Sequence, residues 1–273
     1  MSFLGAFADL FKQPERKYGF KPDPNHFMLP MLSVPAPAAT PAKFSLTPQL
    51  RPVLDQGQKG SCVHNAGAGN CGYLQDKENL ALKFDPSRLF TYYNTRMAEG
   101  TVWSDAGSTI SDYVASVKKF GNCPENGTGD NVWSYSDGPF KFRLKPDEAC
   151  YDFAIKHTAM SSMACPQTEQ SIKHVLLQGF PVILGFQVYS QFESSQAAAT
   201  GMITMPGPTD QYMGGHGVLL CGWDDNCPAL GKAWEVRNSY GSGWGIEGNF
   251  FIPCAYFLDP SLSSDLQVID LIK

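Results

Sequence analysis

The hydrophobic period of this chain changes at Pro181, and that change limits the architectures open to it. Ahead of it, segments read as helices. Val63–Glu78 carries small residues on much of its surface, with Gly67, Gly69 and Gly72 inside it. Each interior glycine costs a helix about 1 kcal/mol against alanine, so three predict a helix that neighbouring backbone approaches closely. A second helix is expected after Asp85-Pro86, running to about Met97, and a third over Thr109–Phe120, stopped by Gly121. A Gly/Asn/Asp/Ser-rich loop extends to about Pro139, and Thr168–Gln178, ended by Gly179, reads as another helix. Behind Pro181 come short β-branched and aromatic runs: Val182–Val188, Gly217–Trp223, Ala233–Arg237, Asn249–Ile252 and Leu266–Ile272, with Asp224-Asp225-Asn226 as a turn. Helices first and strands later predict a segregated α+β fold with two lobes and a cleft between them, and clefts are where substrates bind.

The first 45 residues follow different rules. Prolines at 22, 24, 30, 35, 37, 41, 48 and 52 exclude regular helix or central strand. Residues 1–45 are therefore expected to form an extended arm and residues 46–273 the globular domain, with about 53–165 the mainly helical lobe and 166–273 the mainly β lobe. Met1–Phe11 has helical apolar spacing but no basic start. It is expected to dock on the body as a short amphipathic helix, and no conventional signal peptide is recognised. The compartment is left as cytoplasmic or reached by an unconventional export route.

A formal charge of −5 with no Lys/Arg cluster argues against nucleic acid, and no apolar run is long enough to span a bilayer. The eight cysteines show no metal-ligand spacing, so neither metal nor other cofactor is expected and mostly free thiols are, Cys221 and Cys227 included. Asn126-Gly-Thr128 matches a glycosylation acceptor but reads as loop. A monomer acting on peptide or protein substrates is expected.

Three distant segments hold the chemistry: Gln56-Gly-Gln-Lys-Gly-Ser-Cys62, Gly214-Gly-His-Gly217, and Val236-Arg-Asn-Ser-Tyr-Gly-Ser-Gly-Trp-Gly245. Cys62 opens a helix, where unpaired N–H groups and the macrodipole favour a thiolate. A histidine opposite would hold the proton and return it to a leaving amine. The Gln56 amide can donate to a developing oxyanion beside the Cys62 N–H, and Asn238 can orient the imidazole. His64 lies about 200° round the helix from Cys62 and is expected to be structural. His26, His157 and His174 have no motif around them.

Taken together, these segments resemble those of the papain-like cysteine peptidases, the family of papain and the cathepsins. The resemblance runs over about residues 46 to 270 and includes Lys145-Pro146 and Gly179-Phe-Pro-Val182 of the bacterial-type branch. It implies a papain-like two-lobed fold, with a helical lobe, an antiparallel β-barrel-like lobe and the active-site cleft between them. By the same resemblance Cys62 is the nucleophile, His216 the acid/base, Asn238 its orienter and Gln56 the oxyanion donor. Gly60 and Ser61 would line the subsite next to the cut bond, and Gly107, in Asp105–Thr109, would pair with substrate backbone. Trp244 would shield the Asn–His bond and Tyr240 would wall the leaving-group side.

The sequence departs from the family pattern at three positions. Lys59 stands where many members have cysteine, Val63 replaces the tryptophan after the nucleophile, and Tyr240 replaces the first tryptophan of the third motif. The family's long helical propeptide is replaced by the proline-rich arm. Three arrangements are open to that arm: a plug in the cleft built on Phe27, Met28 and Leu29, an external brace, or a tether. The function implied is a cysteine endopeptidase, a self-inhibited zymogen if the arm is a plug, with a binding or structural protein lacking turnover as the alternative.

Overall fold

The computed structural model describes residues 16–33 and 39–272 of the chain, so the helix expected over Met1–Phe11 lies outside the described residues. Seven α-helices are described: α1 (Cys62–Lys77), α2 (Arg88–Ala98), α3 (Ile110–Phe120), α4 (Glu148–Ala154), α5 (Glu169–Leu177), α6 (Ser195–Thr200) and α7 (Cys254–Leu258). The strands are β1 (Lys43–Ser45), β2 (Ala159–Ala164), β3 (Val182–Tyr189), β4 (Tyr212–Cys227), β5 (Gly231–Arg237), β6 (Asn249–Pro253) and β7 (Ser263–Ile272). The fold is α+β, with an antiparallel sheet in the order β2-β7-β3-β4-β5-β6. The barrel-like lobe expected from the resemblance is an open sheet, because β2 and β6 end it without pairing to each other. β1 joins β4 at Gly222–Asp224, beyond Leu220 where β3 stops.

Local chemistry explains the helix ends. Thr109 and Thr168 cap α3 and α5 through their side chains, and Gly121 and Gly179 end them at φ +75° and +77°. For α2 the cap is Ser87, which accepts from Phe90 N, and the Asp85-Pro86 pair lies one step outside. α1 is buried along nearly its whole length. A Cβ at Gly67 would fall 2.1 Å from Tyr113 Cζ of α3, so the small-residue surface is what lets these helices meet. At the start of α1, Val63 lies against Gly217 of β4, where a Cβ would come within 2.8 Å of Val63 Cγ2. The helix that begins with Cys62 thus stands directly on the strand that carries His216.

Two strand expectations are corrected. Asp224-Asp225-Asn226 belongs to β4, which runs to Cys227 through a register shift in its pairing with β5. Ala159–Ala164, within the mainly helical half of the sequence, is an edge strand held by β7.

The proline-rich segment lies against the body at successive points. Residues 16–21 cross the space above Cys62, Pro30–Leu32 bond the backbone of Ala164, and β1 follows. Between the first two, Asp23 N donates to Asp265 Oδ2 at 2.7 Å, with His26 Nδ1 3.7 Å from Oδ1. Asp265 is buried at a left-handed φ of +60°. Burial, with the Asp23 charge adding to it, pushes its carboxyl up from 3.8 to about 6. The folded state therefore holds a proton that the unfolded chain has already released, and stability falls as pH rises from about 4 to about 6. Asp265→Asn keeps an acceptor and suits the left-handed backbone. It is expected to raise Tm at pH 7.5 by about 3 °C and to flatten that slope, both read by calorimetry across pH. An unchanged slope refutes the assignment.

Candidate active site

Cys62 begins α1 and is fully buried. Its Sγ accepts the Gly217 N–H at 3.3 Å, across the interface between helix and sheet. Burial pushes the thiol up, opposed by the amides of Gly217, Gly19, Val63 and Cys62 itself.

His216 precedes Gly217 on β4 and faces Phe186 across the β3 pairing. Its Nε2 is 2.9 Å from Asn238 Oδ1, and the same oxygen accepts the Ser239 N–H at 2.8 Å. A backbone amide only donates, so this atom of Asn238 is the oxygen and His216 Nε2 carries the hydrogen. In the neutral ring Nδ1 is then bare. It is buried, with no hydrogen-bond partner among the described residues. Burial lowers the imidazole to about 4, Asn238 opposes that, and the charge of Arg16 adds to it. Burial thus favours the neutral form of both thiol and imidazole.

The ring of His216 is enclosed by Tyr240, Phe186, Phe192 and Tyr18, at centroid distances of 5.2, 5.7, 6.0 and 6.0 Å. Trp244 packs behind, 5.6 Å from Tyr240 and 5.2 Å from Phe192.

Gln56 is held at both ends of its amide. Oε1 accepts Ser239 Oγ at 2.6 Å, and Nε2 donates to Lys59 O at 2.7 Å and Lys17 O at 3.1 Å. Its backbone N–H also bonds Ser239 O at 2.9 Å. Ser239 therefore joins the Gln56 amide to the residue that orients His216. The Gln56–Ser61 loop is braced by Tyr135, whose hydroxyl bonds Gln56 O and Ser61 Oγ at 2.8 Å each. Behind it Arg88, paired with Glu125 at 2.7 Å, donates to Asp55 O and Asn65 Oδ1 and stacks on Tyr135. Lys59 reaches Asp137 O at 3.0 Å.

The remaining sequence candidates fall as follows. Ser61 points its hydroxyl into the loop, to Tyr135 and Asn65. Gly60 N donates to Asp105 Oδ1 at 3.1 Å. Gly107 N donates to Tyr92 Oη, and a Cβ there, at φ +71°, would fall 1.9 Å from Gly19 O. The backbone bonds to the arm are made by its neighbour: Ser108 N to Gly19 O at 2.8 Å and Lys21 N to Ser108 O at 3.1 Å. His64 is locked between Thr91 and Ser108 hydroxyls, and burial lowers it well below its ordinary range. All eight cysteines are buried free thiols. Sequence reasoning missed Ser239, Tyr135, Arg88 and the Phe186–Phe192 pair. Only Ser239 had a signal, its place inside the third motif.

The cleft is occupied by residues 16–21. Phe20 lies on bare backbone, where a Cβ on Gly185 would fall 2.0 Å from its Cζ, and its N–H bonds Gly215 O at 2.9 Å. Tyr18 bonds Glu193 and lies against Gly214. The Phe27–Leu29 plug is corrected: residues 26–28 form a 3-10 turn beside Asp265 with Met28 exposed, and it is Tyr18–Phe20 that stands over Cys62.

Comparison with known proteins gives a consistent picture. The model of the papain family cysteine proteases matches residues 105–255. An uncharacterised peptidase C1-like protein of Acanthamoeba polyphaga mimivirus is 35% identical over 235 residues, 83% of this chain and 72% of that one. A gut-specific cysteine proteinase of Caenorhabditis elegans is 24% identical over 247 residues, 81% of this chain and 69% of that one. The structure is similar to that of xylellain, a cysteine protease from Xylella fastidiosa, with a TM-score of 0.82 and 31% identity over 96% of this chain and 99% of that one.

Proposed function

The chain belongs to the papain family of cysteine proteases and is a thiol protease, and on that premise we propose that Cys62, His216, Asn238 and Gln56 are its catalytic residues and that residues 16–21 hold it shut. In the open cleft the thiol proton passes to His216 Nδ1, once solvent has relieved the burial that now keeps both groups neutral. The thiolate attacks a peptide carbonyl. The Gln56 Nε2 and Cys62 N–H groups take the negative charge that forms on oxygen. His216 returns the proton to the departing amine, leaving a thioester. Water, deprotonated by the same nitrogen, hydrolyses that thioester. The observation that carries this reading is the pair of hydrogen bonds that Asn238 Oδ1 accepts, which leaves His216 Nδ1 bare one residue from the strand amide that touches Cys62 Sγ.

The closed state follows from how residues 17–19 sit. The carbonyl in the grasp of Gln56 is that of Lys17, whereas Gly19 turns an N–H toward Cys62 and its own carbonyl to Ser108. Nucleophile and oxyanion donor thus address different peptide groups, and no bond is aligned for attack. Residues 1–45 are, in this reading, an inhibitory arm and 46–273 the peptidase domain. The filled cleft also favours a second reading, a papain-fold binding protein without turnover. A thiol-directed epoxide separates the two. Full-length chain carrying Phe20→Ala, which removes the aromatic anchor, is expected to cleave an unfolded protein such as reduced casein and to lose that activity on a single adduct mapped to Cys62 by peptide mass spectrometry. A folded chain with neither adduct nor cleavage supports the second reading.

A further inference from the structure

One arm side chain is held by an acid, a carbonyl and an aromatic ring that all belong to the body. Arg16 Nη1 is 2.6 Å from Asp55 Oδ1 and 3.1 Å from Gly57 O. Its guanidinium carbon stands 4.6 Å above the centroid of the Tyr240 ring. The Arg16 side chain is 6% exposed, against 58% for Lys17 and 37% for Lys21, which pair with Asp105 and Glu99 at the cleft edges. Two of the arm's cations in this stretch are thus solvated and one is enclosed.

The walls of that pocket are fixed by body residues. Asp55 pairs with Tyr240 in an antiparallel bridge, and its Oδ1 also accepts the Gly57 N–H at 2.8 Å. Gly57 holds a left-handed φ of +56°, and Gly241, at +76°, keeps the flank of Asp55 clear. Arg88 ties the Asp55 carbonyl to the interior at 2.7 Å. A carboxylate and a carbonyl met by one nitrogen, Nη1, with an aromatic face beneath the group, suit a planar guanidinium. A lysine ammonium could reach the same two oxygens but has no planar face to lay on the ring.

We infer that this pocket is an arginine subsite of the open enzyme, vacated by Arg16 when the arm leaves and filled by an arginine side chain of the substrate. The inference rests on the hydrolytic reading above for the substrate, but not for the pocket itself. Since Tyr240 lies 5.2 Å from the His216 ring, the recognised arginine belongs to the leaving-group side of the cut bond. The substrate class is an arginine-bearing peptide.

The test uses full-length chain with Arg16→Ala, which empties the pocket, and Arg16→Gln alongside, which keeps the bulk of the stem. N-acetyl-arginine amide is expected to bind both saturably, followed through the Tyr240 ring resonances by NMR. Binding should be at least about tenfold tighter than that of N-acetyl-citrulline amide, its neutral isostere, and lost when Asp55→Asn is added. With Phe20→Ala added to the same chains to free the cleft, quenched peptides with arginine on the leaving-group side should show kcat/KM about tenfold above their citrulline twins, the difference lying in KM. Arginine-selective binding without any cleavage leaves the subsite standing and overturns the hydrolytic reading. Cleavage or binding with no preference for arginine over citrulline overturns the subsite alone.

Discussion

Full-length chain carrying Cys62→Ala is expected to show no cleavage in any arm background, with a loss of about 10⁵–10⁶-fold in kcat relative to the same background with cysteine. The size follows from the division of labour at the site. In the proposed mechanism His216 and Asn238 act only through the sulfur, so removing it leaves the oxyanion donors alone to act on bound substrate. Fold should survive, because alanine at the first position of α1 keeps the helix N-terminus and removes one buried sulfur. Near-native Tm together with baseline activity is the expected pair of readings. Persistent hydrolysis by a folded Cys62→Ala chain would remove the thiol from the mechanism.

The second large effect lies in the arm. Phe20 is buried against glycine backbone at Gly185 and Gly215, and truncating a buried Phe to Ala costs about 3–5 kcal/mol. Most of that cost falls on the docked arm, so the open fraction should rise by about two to three powers of ten. The epoxide labelling rate of Cys62 reads that fraction directly. Phe20→Ala should speed labelling by about 10²–10³-fold, while Met28→Ala, on the exposed 3-10 turn, leaves it unchanged. Equal rates for wild type and Phe20→Ala would show that the arm does not gate the thiol.

The two residues also show what the sequence could and could not disclose. The residues proposed as catalytic, Cys62, His216, Asn238 and Gln56, stood out in the sequence because each sits in a short motif whose chemistry is local: a helix start, a strand start, a glycine-rich turn. α1 and α3 were legible from glycine content and caps. Phe20 was not, since its value comes from glycines at 185 and 215 that no periodicity connects to it. The arm's apolar Phe27–Leu29 run outweighed a single phenylalanine among lysines. Likewise β2 and the extension of β4 through Asp224–Asn226 depend on partners elsewhere in the sheet, and polar residues that satisfy a ladder read as a turn when seen alone. The Arg88–Glu125–Tyr135 brace left no trace for the same reason: its members are 37 and 47 residues from Arg88 and meet only after folding.

Ser239 has a mechanical consequence. It bonds Gln56 twice, by hydroxyl and by carbonyl, and donates its amide to Asn238. The proposed oxyanion donor Gln56 and the proposed orienter of His216, Asn238, are thereby riveted at one point, where the loop before α1 meets the sheet. Hinging of the cleft to admit or release a chain can then take place around that rivet. The rims swing while the reacting centre keeps its alignment.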